Sequence, residues 1–180
     1  DVIVVGAGHA GVEAAIASDR IGAKTALVSF SQDDLGIMSC NPAMGGLGKG
    51  HLIREIDAMG GIIGRASDSS GIQFRMLNKT RGEAVQGPRA QIDREKYKKN
   101  IRFFVKESGV EILESEVKNI ITTKKAGGAY VQGIETSTLG KIFCKALIVT
   151  TGTFLSGVIY RGPEKWEAGR LNSKPSMDLA

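Results

Sequence analysis

Three glycines, Gly6, Gly8 and Gly11, stand at the spacing G-x-G-x-x-G in the string GAGHAG, directly after the apolar run VIVV. That spacing suits the binding of a dinucleotide. The first glycine permits a tight turn, the second lets backbone approach a pyrophosphate, and the third lets a following helix pack closely on the strand. The start of that helix then offers amide groups and a partial positive charge to the diphosphate. Gly6, Ala7, Gly8, His9, Ala10 and Gly11 are the candidate binding residues. For His9 two readings stand open, a ring beside the phosphates or an exposed turn residue.

A second glycine-rich string, SCNPAMGGLGKGHLIREIDAMGG, runs from Ser39 to Gly61. It invites comparison with the phosphate loop G-x-x-x-x-G-K-[ST]. Counting back from Gly48-Lys49, the first glycine falls on Ala43, and the hydroxyl residue that would hold magnesium falls on Gly50. Asn41-Pro42 also interrupts any strand ahead of it. A nucleoside-triphosphate site is therefore rejected. A glycine-rich loop that opens a helix remains, able to wrap a flat ring or a phosphate. Cys40 begins it. A lone cysteine is more often a buried, inert thiol, but one beside a polar turn can serve as a nucleophile or redox group. With no C-x-x-C or C-x4-C spacing, a dithiol mechanism is disfavoured.

These residues need elements to hold them. The run VIVVGAG reads as a strand buried on both faces, followed by an Ala-rich helix, and KTALVSF reads as a second strand. A dinucleotide fold expects Asp or Glu at the end of that second strand. Ser29 stands there, and Asp33 and Asp34 follow in a loop. HLIREIDAM carries Leu52, Ile53, Ile56 and Met59 at helical spacing, and GIQFRMLN reads as a short strand or loop. Residues 93–108 form a helix that Gly109 would cap. GVEIL is a third parallel-type strand, and residues 115–144 hold three β-rich runs separated by KKAGG and STLGK turns, an antiparallel meander. ALIVTTGTF returns as an apolar strand. At its end the corner Thr150-Thr151-Gly152 would bring backbone to the carboxyl ends of the strands, which makes Thr151 and Gly152 candidate cofactor contacts. A meander in place of a helical crossover resembles the FAD domains of glutathione-reductase-like flavoproteins. The expected fold is thus α/β, Rossmann-like, with a parallel sheet and a β-meander crossover. The expected organisation is a first, FAD-binding domain over residues 1–154 and the truncated start of an inserted or second domain over 155–180.

Hydrophobic residues make up 42% of the 180, enough for a sizeable core, which argues against disorder. Two cysteines, Cys40 and Cys144, are too few for a disulfide framework and point to a reducing, intracellular setting. Cys144 lies in an apolar β run and reads as structural. No apolar run is long enough to cross a membrane. The abrupt start at Asp1 and the helix-like beginning at SKPSMDLA suggest a piece of a longer chain. The net charge of +5 is uneven: residues 75–106 carry ten Lys and Arg against Glu83, Asp93 and Glu95. A solvated helix face is the plain reading of this stripe, and attraction of a polyanion is the other.

Taken together, GAGHAGVEAA, MSCNPAMGGLGKGHLIREIDAMGG, GIQFRMLN, PRAQIDR and TTGTFLSG resemble the MnmG (GidA) family of FAD-dependent tRNA uridine-modifying proteins, from the first residue to at least Gly157. Folate-dependent tRNA methyltransferase flavoproteins share only the first motif. The resemblance implies FAD held at Gly6–Gly11, with further contacts at Val117 in the meander and at Ser176. It implies NADH as reductant, at a site outside this chain, and methylenetetrahydrofolate as one-carbon donor. It also implies a partner GTPase of the MnmE type, a homodimer and no membrane. The reaction implied places an aminomethyl or carboxymethylaminomethyl group at C5 of the wobble uridine of tRNA, in the cytoplasm or, in a eukaryote, the mitochondrion. By covalent logic Cys40 becomes the candidate catalytic thiolate, adding to C6 of uracil; a cysteine elsewhere in the family's longer chain is the alternative. On this resemblance the basic stripe gains a second reading as a surface facing tRNA, with Arg89 and Arg94 alternatively holding flavin phosphates or packing internally. The rival reading of the glycine turn, the meander and the TTG corner is a flavin and NADH oxidoreductase acting on a small molecule.

Overall fold

The computed structural model describes residues 1–38, 41–171 and 173–180. Contacts divide it into two units, residues 1–34 with 109–180, and residues 35–108. Residues 155–180 group by contacts with the first unit.

The first unit is built on four parallel strands. β1 (Val2–Val5) leads to α1 (His9–Arg20) and β2 (Thr25–Ser29). Elements of the second unit intervene before the remaining two strands, Glu111–Glu114 and Ala146–Val149. Those intervening elements are β3 (Ala43–Gly45), α2 (Lys49–Ala58), α3 (Ile63–Ser70), β4 (Gly71–Leu77), β5 (Gly87–Ile92) and α4 (Arg94–Glu107). The first unit resumes with β6 (Glu111–Glu114), β7 (Val117–Lys125), β8 (Gly128–Thr136), β9 (Gly140–Phe143), β10 (Ala146–Val149), β11 (Val158–Arg161) and β12 (Glu164–Glu167).

The parallel sheet has the order β10-β1-β2-β6, so the order reverses between β1 and β10. β1 is buried from Ile3 to Val5, as expected of a central strand covered on both faces. Alternation sends Ile3 and Val5 to one side, where they pack with Val28, Val117 and Ile134. The expected meander is present as an antiparallel sheet in the order β7-β8-β9, and it supplies Val117 and Ile134 to that core. α1 packs on β1 and β2 and buries Val12 and Ala15.

The second unit holds an antiparallel sheet in the order β3-β5-β4, with three helices. α4 is amphipathic as read: Tyr97, Ile101 and Val105 form one buried stripe four residues apart. Asp93 caps it by accepting from the Lys96 amide at 3.0 Å. The expected glycine cap at its other end is absent. Ser108 closes α4 in an extended conformation, and Gly109 instead donates its amide to the Asp19 carboxylate at 3.0 Å. A Cβ at Gly109 would lie 2.6 Å from that carboxylate, so the residue is small to allow close approach and not to reverse the backbone. The apolar positions of α2 are also not core as the helical spacing suggests: Leu52 is 61% exposed and Met59 69%.

Cys144 is half-buried against the first unit's core. Burial pushes its thiol pKa up, opposed by the nearby N-terminal charge. At neutral pH it stays protonated, so its alkylation is expected to run several-fold slower than that of a free cysteine. Mass spectrometry of an iodoacetamide time course would measure this, and labelling at the free-thiol rate would contradict it.

Candidate functional site

The glycine turn lies at the carboxyl end of β1, beside β10, where the strand order reverses. Ligands of open α/β sheets bind at such a point. Gly6 has φ +103°, a conformation costly for any residue with a Cβ. Gly11 sits inside the first turn of α1, where a Cβ would lie 1.7 Å from the Gly6 carbonyl oxygen. This is the close helix–strand approach that the third glycine was read to permit. Gly8 differs from both. It is the N-cap of α1 at φ −70°, it is exposed, and a Cβ there would meet nothing within 4 Å.

No side chain caps α1, and its first turn holds no acid. The first intrahelical bond runs from the Val12 amide to the Gly8 carbonyl at 3.0 Å. The amides of Ala10 and Gly11 therefore have no acceptor within the helix. Open space at Gly8, amides at a helix start and an unfilled helix dipole suit a diphosphate, so the residues present fit a dinucleotide cofactor at this end.

The TTG corner is brought to the same place. Within the corner, Thr150 makes the contact to the strand end and the turn. Its hydroxyl donates to the Val5 carbonyl at 2.7 Å and lies 3.1 Å from the Gly6 carbonyl, and its amide donates to Val5 at 2.8 Å. Its hydroxyl would also be 2.8 Å from a Cβ on Gly11. One threonine thus fixes strand end, turn and helix start together. Thr151 caps a one-turn 3-10 helix at Gly152–Phe154, where Gly152 has φ +58° and open space around it. Ser176 joins this segment. It is buried, its amide donates to the Phe154 carbonyl at 2.8 Å, and its own carbonyl accepts from the Ser156 amide at 3.0 Å. Val117 opens β7 with its side chain in the core, so a contact from it to a cofactor would run through its backbone.

The end of β2 carries no carboxylate of its own. Ser29 is buried there. Asp34 is engaged by Arg170, whose guanidinium lies 2.6 Å from its carboxylate. The sequence reading missed Glu114, which pairs in register with Ser29 across β2 and β6 and accepts from the Gln32 amide at 2.8 Å. The acid thus closes the neighbouring parallel strand β6 rather than β2.

In the second unit the loop after β3 leads into α2. The Lys49 ammonium group turns back toward the Ala43 carbonyl, 3.5 Å away. The N-cap amide of α2, on Gly48, donates to the His51 ring at 3.2 Å. Cys40, the candidate catalytic residue, lies outside the described residues. Among the described residues no group of three or more His, Cys, Asp or Glu could hold a metal, and no helix is long and apolar enough to cross a membrane.

The family model of glucose inhibited division protein A matches residues 1–180. The chain belongs to the GidA family. The tRNA uridine 5-carboxymethylaminomethyl modification enzyme MnmG of Granulibacter bethesdensis is 50% identical over 181 residues, covering 100% of this chain and 29% of that protein. The solved structure of Aquifex aeolicus GidA superposes with a TM-score of 0.90 at 47% identity, over 99% of this chain and 29% of that one. CtdE, solved in complex with FAD, shares the fold at a TM-score of 0.53 and 22% identity, over 85% of this chain and 38% of that one. This GidA-family chain therefore spans less than a third of the length of the MnmG and GidA relatives it matches.

Proposed function

We propose that this chain is the FAD-binding part of a tRNA-modifying flavoprotein. On this proposal the intact protein, with a partner GTPase of the MnmE type, adds an aminomethyl or carboxymethylaminomethyl group at C5 of the wobble uridine. The observation that carries the reading is the Gly6–Gly11 turn at the switch point, in a chain of the GidA family. The amides of Ala10 and Gly11 would hold the diphosphate, Gly8 would leave it room, and Thr150 would keep the turn in register. Thr151, Gly152, Ser176 and the backbone of Val117 would complete the cofactor's surroundings, with His9 beside the phosphates.

Bound FAD would supply the redox step, drawing on NADH held elsewhere in the longer protein, with methylenetetrahydrofolate as the one-carbon source. Cys40 would act on the base: its thiolate adds to C6 of uracil, and the electron pair displaced toward C5 makes that carbon nucleophilic. C5 would bond to the one-carbon unit as that carbon's bond to a folate nitrogen breaks, and loss of the C5 proton with departure of the thiolate from C6 would then restore the ring. The proposal includes a homodimer working in the cytoplasm or mitochondrial matrix.

The test begins with the absorbance spectrum of the purified intact protein. A flavin spectrum that NADH bleaches without oxygen, together with a C5-modified wobble uridine detected by mass spectrometry of tRNA, is the expected result. A colourless protein that takes up no added FAD would overturn the cofactor reading. Normal modification by Cys40→Ser would remove the cysteine from the mechanism and leave the rest intact.

A further inference from the structure

The basic stripe splits into two parts once the fold is known. Its second half lies on α4, where Arg94, Lys98 and Arg102 take part in interactions within the chain. Its first half lies on the β4–β5 hairpin, which carries Arg75, Lys79, Arg81 and Arg89. Among the described residues, none of these four forms an ion pair. Glu83, in the same hairpin loop, is the nearest acid in sequence and pairs with none of them.

Three features make this hairpin more than a solvated charged face. First, Arg75 and Arg89 are directly opposite in register across β4 and β5, so both side chains leave the same face. Like charges placed directly opposite destabilise a strand pair. Across β5, Arg89 faces Gly45 on β3, which offers no side chain to cover it. Second, a cleft of about 740 Å³ opens along the end of β4 and its turn, lined by Arg75, Leu77, Lys79, Thr80 and Arg81. Third, the loop holding the charges is ordered by its own hydrogen bonds. The Asn78 amide group donates to the Val85 carbonyl at 2.8 Å, the Gln86 amide group to the Arg81 carbonyl at 3.1 Å, and the Arg81 backbone amide to the Asn78 carbonyl at 2.9 Å. Asn78 itself sits at φ +56°. The cations are thus presented from a fixed frame.

We propose that the β4–β5 hairpin is a binding site for the phosphodiester backbone of RNA, with Arg75 and Arg89 sharing one phosphate and Lys79 and Arg81 holding its neighbours. The anion relieves the repulsion between the two opposed guanidinium groups, and each arginine can bind it in a two-pronged fashion. This site deepens the tRNA reading given above and rests on it.

The intact protein and unfractionated tRNA provide the test, with affinity measured across a fourfold range of salt. Arg75→Gln and the double variant Lys79→Gln/Arg81→Gln are each expected to lower the salt slope by about 0.7–0.9 per lost phosphate contact. For one contact, that makes the loss of affinity across the range about threefold smaller than in the wild type. Arg75→Lys is expected to keep the slope. The melting temperature of Arg75→Gln at low salt is expected to hold or rise, as one of two opposed charges is gone. Lys96→Gln/Lys99→Gln on α4 is expected to leave the slope as it is. Unchanged slopes in both hairpin variants would overturn the site while leaving the tRNA reading in place, as would a slope that falls only in the α4 variant. A wild-type protein with no measurable affinity for tRNA would overturn the tRNA reading itself.

Discussion

Gly8→Ala and Gly11→Ala are expected to fail in opposite ways. At Gly11 the added methyl would meet the Gly6 carbonyl oxygen at 1.7 Å and the Thr150 hydroxyl at 2.8 Å. The first of these is main chain and cannot swing aside. Overpacking against it outweighs the gain of about 1 kcal/mol that alanine brings to a helix. The expected net loss is roughly 2–4 kcal/mol of stability, and with it the cofactor. At Gly8 the methyl meets nothing within 4 Å, and φ −70° suits alanine. That variant is expected to fold about as well as the wild type, the gain of about 0.4–1 kcal/mol from a less flexible unfolded chain being offset by alanine's poorer fit to the N-cap. Its methyl occupies the space offered to the diphosphate, so FAD affinity is expected to fall at least about tenfold, or ~1.4 kcal/mol. Thermal melts of the apoproteins and flavin titrations separate the two. Equal FAD affinity in Gly8→Ala and wild type would show that the space at Gly8 is not where the cofactor lies.

Thr150→Val is expected to loosen the turn without emptying the core, because valine keeps the shape and loses only the hydroxyl. The Val5 carbonyl keeps its bond from the Thr150 amide, whereas the Gly6 carbonyl loses the hydroxyl that lies 3.1 Å from it. The one hydroxyl proton goes chiefly to the Val5 carbonyl, so its removal costs about 0.5–1.5 kcal/mol, the ordinary worth of one hydrogen bond. The loss should appear in apoprotein stability and as weaker FAD binding, since the turn no longer sits in one register. Thr150→Ser, which keeps the donor, should restore both. If valine and serine behave alike, the hydroxyl does not hold the turn.

The β1–turn–α1 unit was legible because its glycines, its apolar strand and its switch to helical spacing all agree within a dozen residues. The meander was equally legible from its two turns. α3 was not, although the reason lies in plain view. Its buried face is Ile63, Ala66, Ser67 and Ser70, a helical spacing that is half serine. Serine reads as loop in a sequence, but here Ser67 returns its hydroxyl to the Ile63 carbonyl at 2.6 Å, and Ser70 receives the Asn100 side chain at 2.8 Å. β5 was hidden by its Gly87-Pro88 opening, which normally argues against an inner strand. The hairpin of β11 and β12 was hidden by the lack of alternation; Arg161 supports it by reaching Glu164 at 2.6 Å and lying over Trp166. In the candidate site, the glycine positions followed from backbone geometry that spacing encodes. The part played by Thr150 depends on pairing between strands 144 residues apart, as in Val2 with Ala146, and local pattern carries no trace of that.

The placement of residues 35–108 between β2 and β6 also sets the order in which this molecule can form. β1 and β2 leave the ribosome early, yet β1 has no neighbour on its other side until Ala146–Val149 has been made. Until then that edge is bare, a template for the wrong partner. The intervening segment shortens the wait in conformational terms. Near its start, a Cβ on Gly36 would be 2.9 Å from the Ile101 side chain on α4, near its end, so the folded segment brings its own two ends together. To the sheet it then behaves as a short connection and not as a coil of more than seventy residues, and the entropy of closing β2 onto β6 has already been met. A ribosome that stalls before residue 146 would therefore release a finished insert on an unfinished sheet.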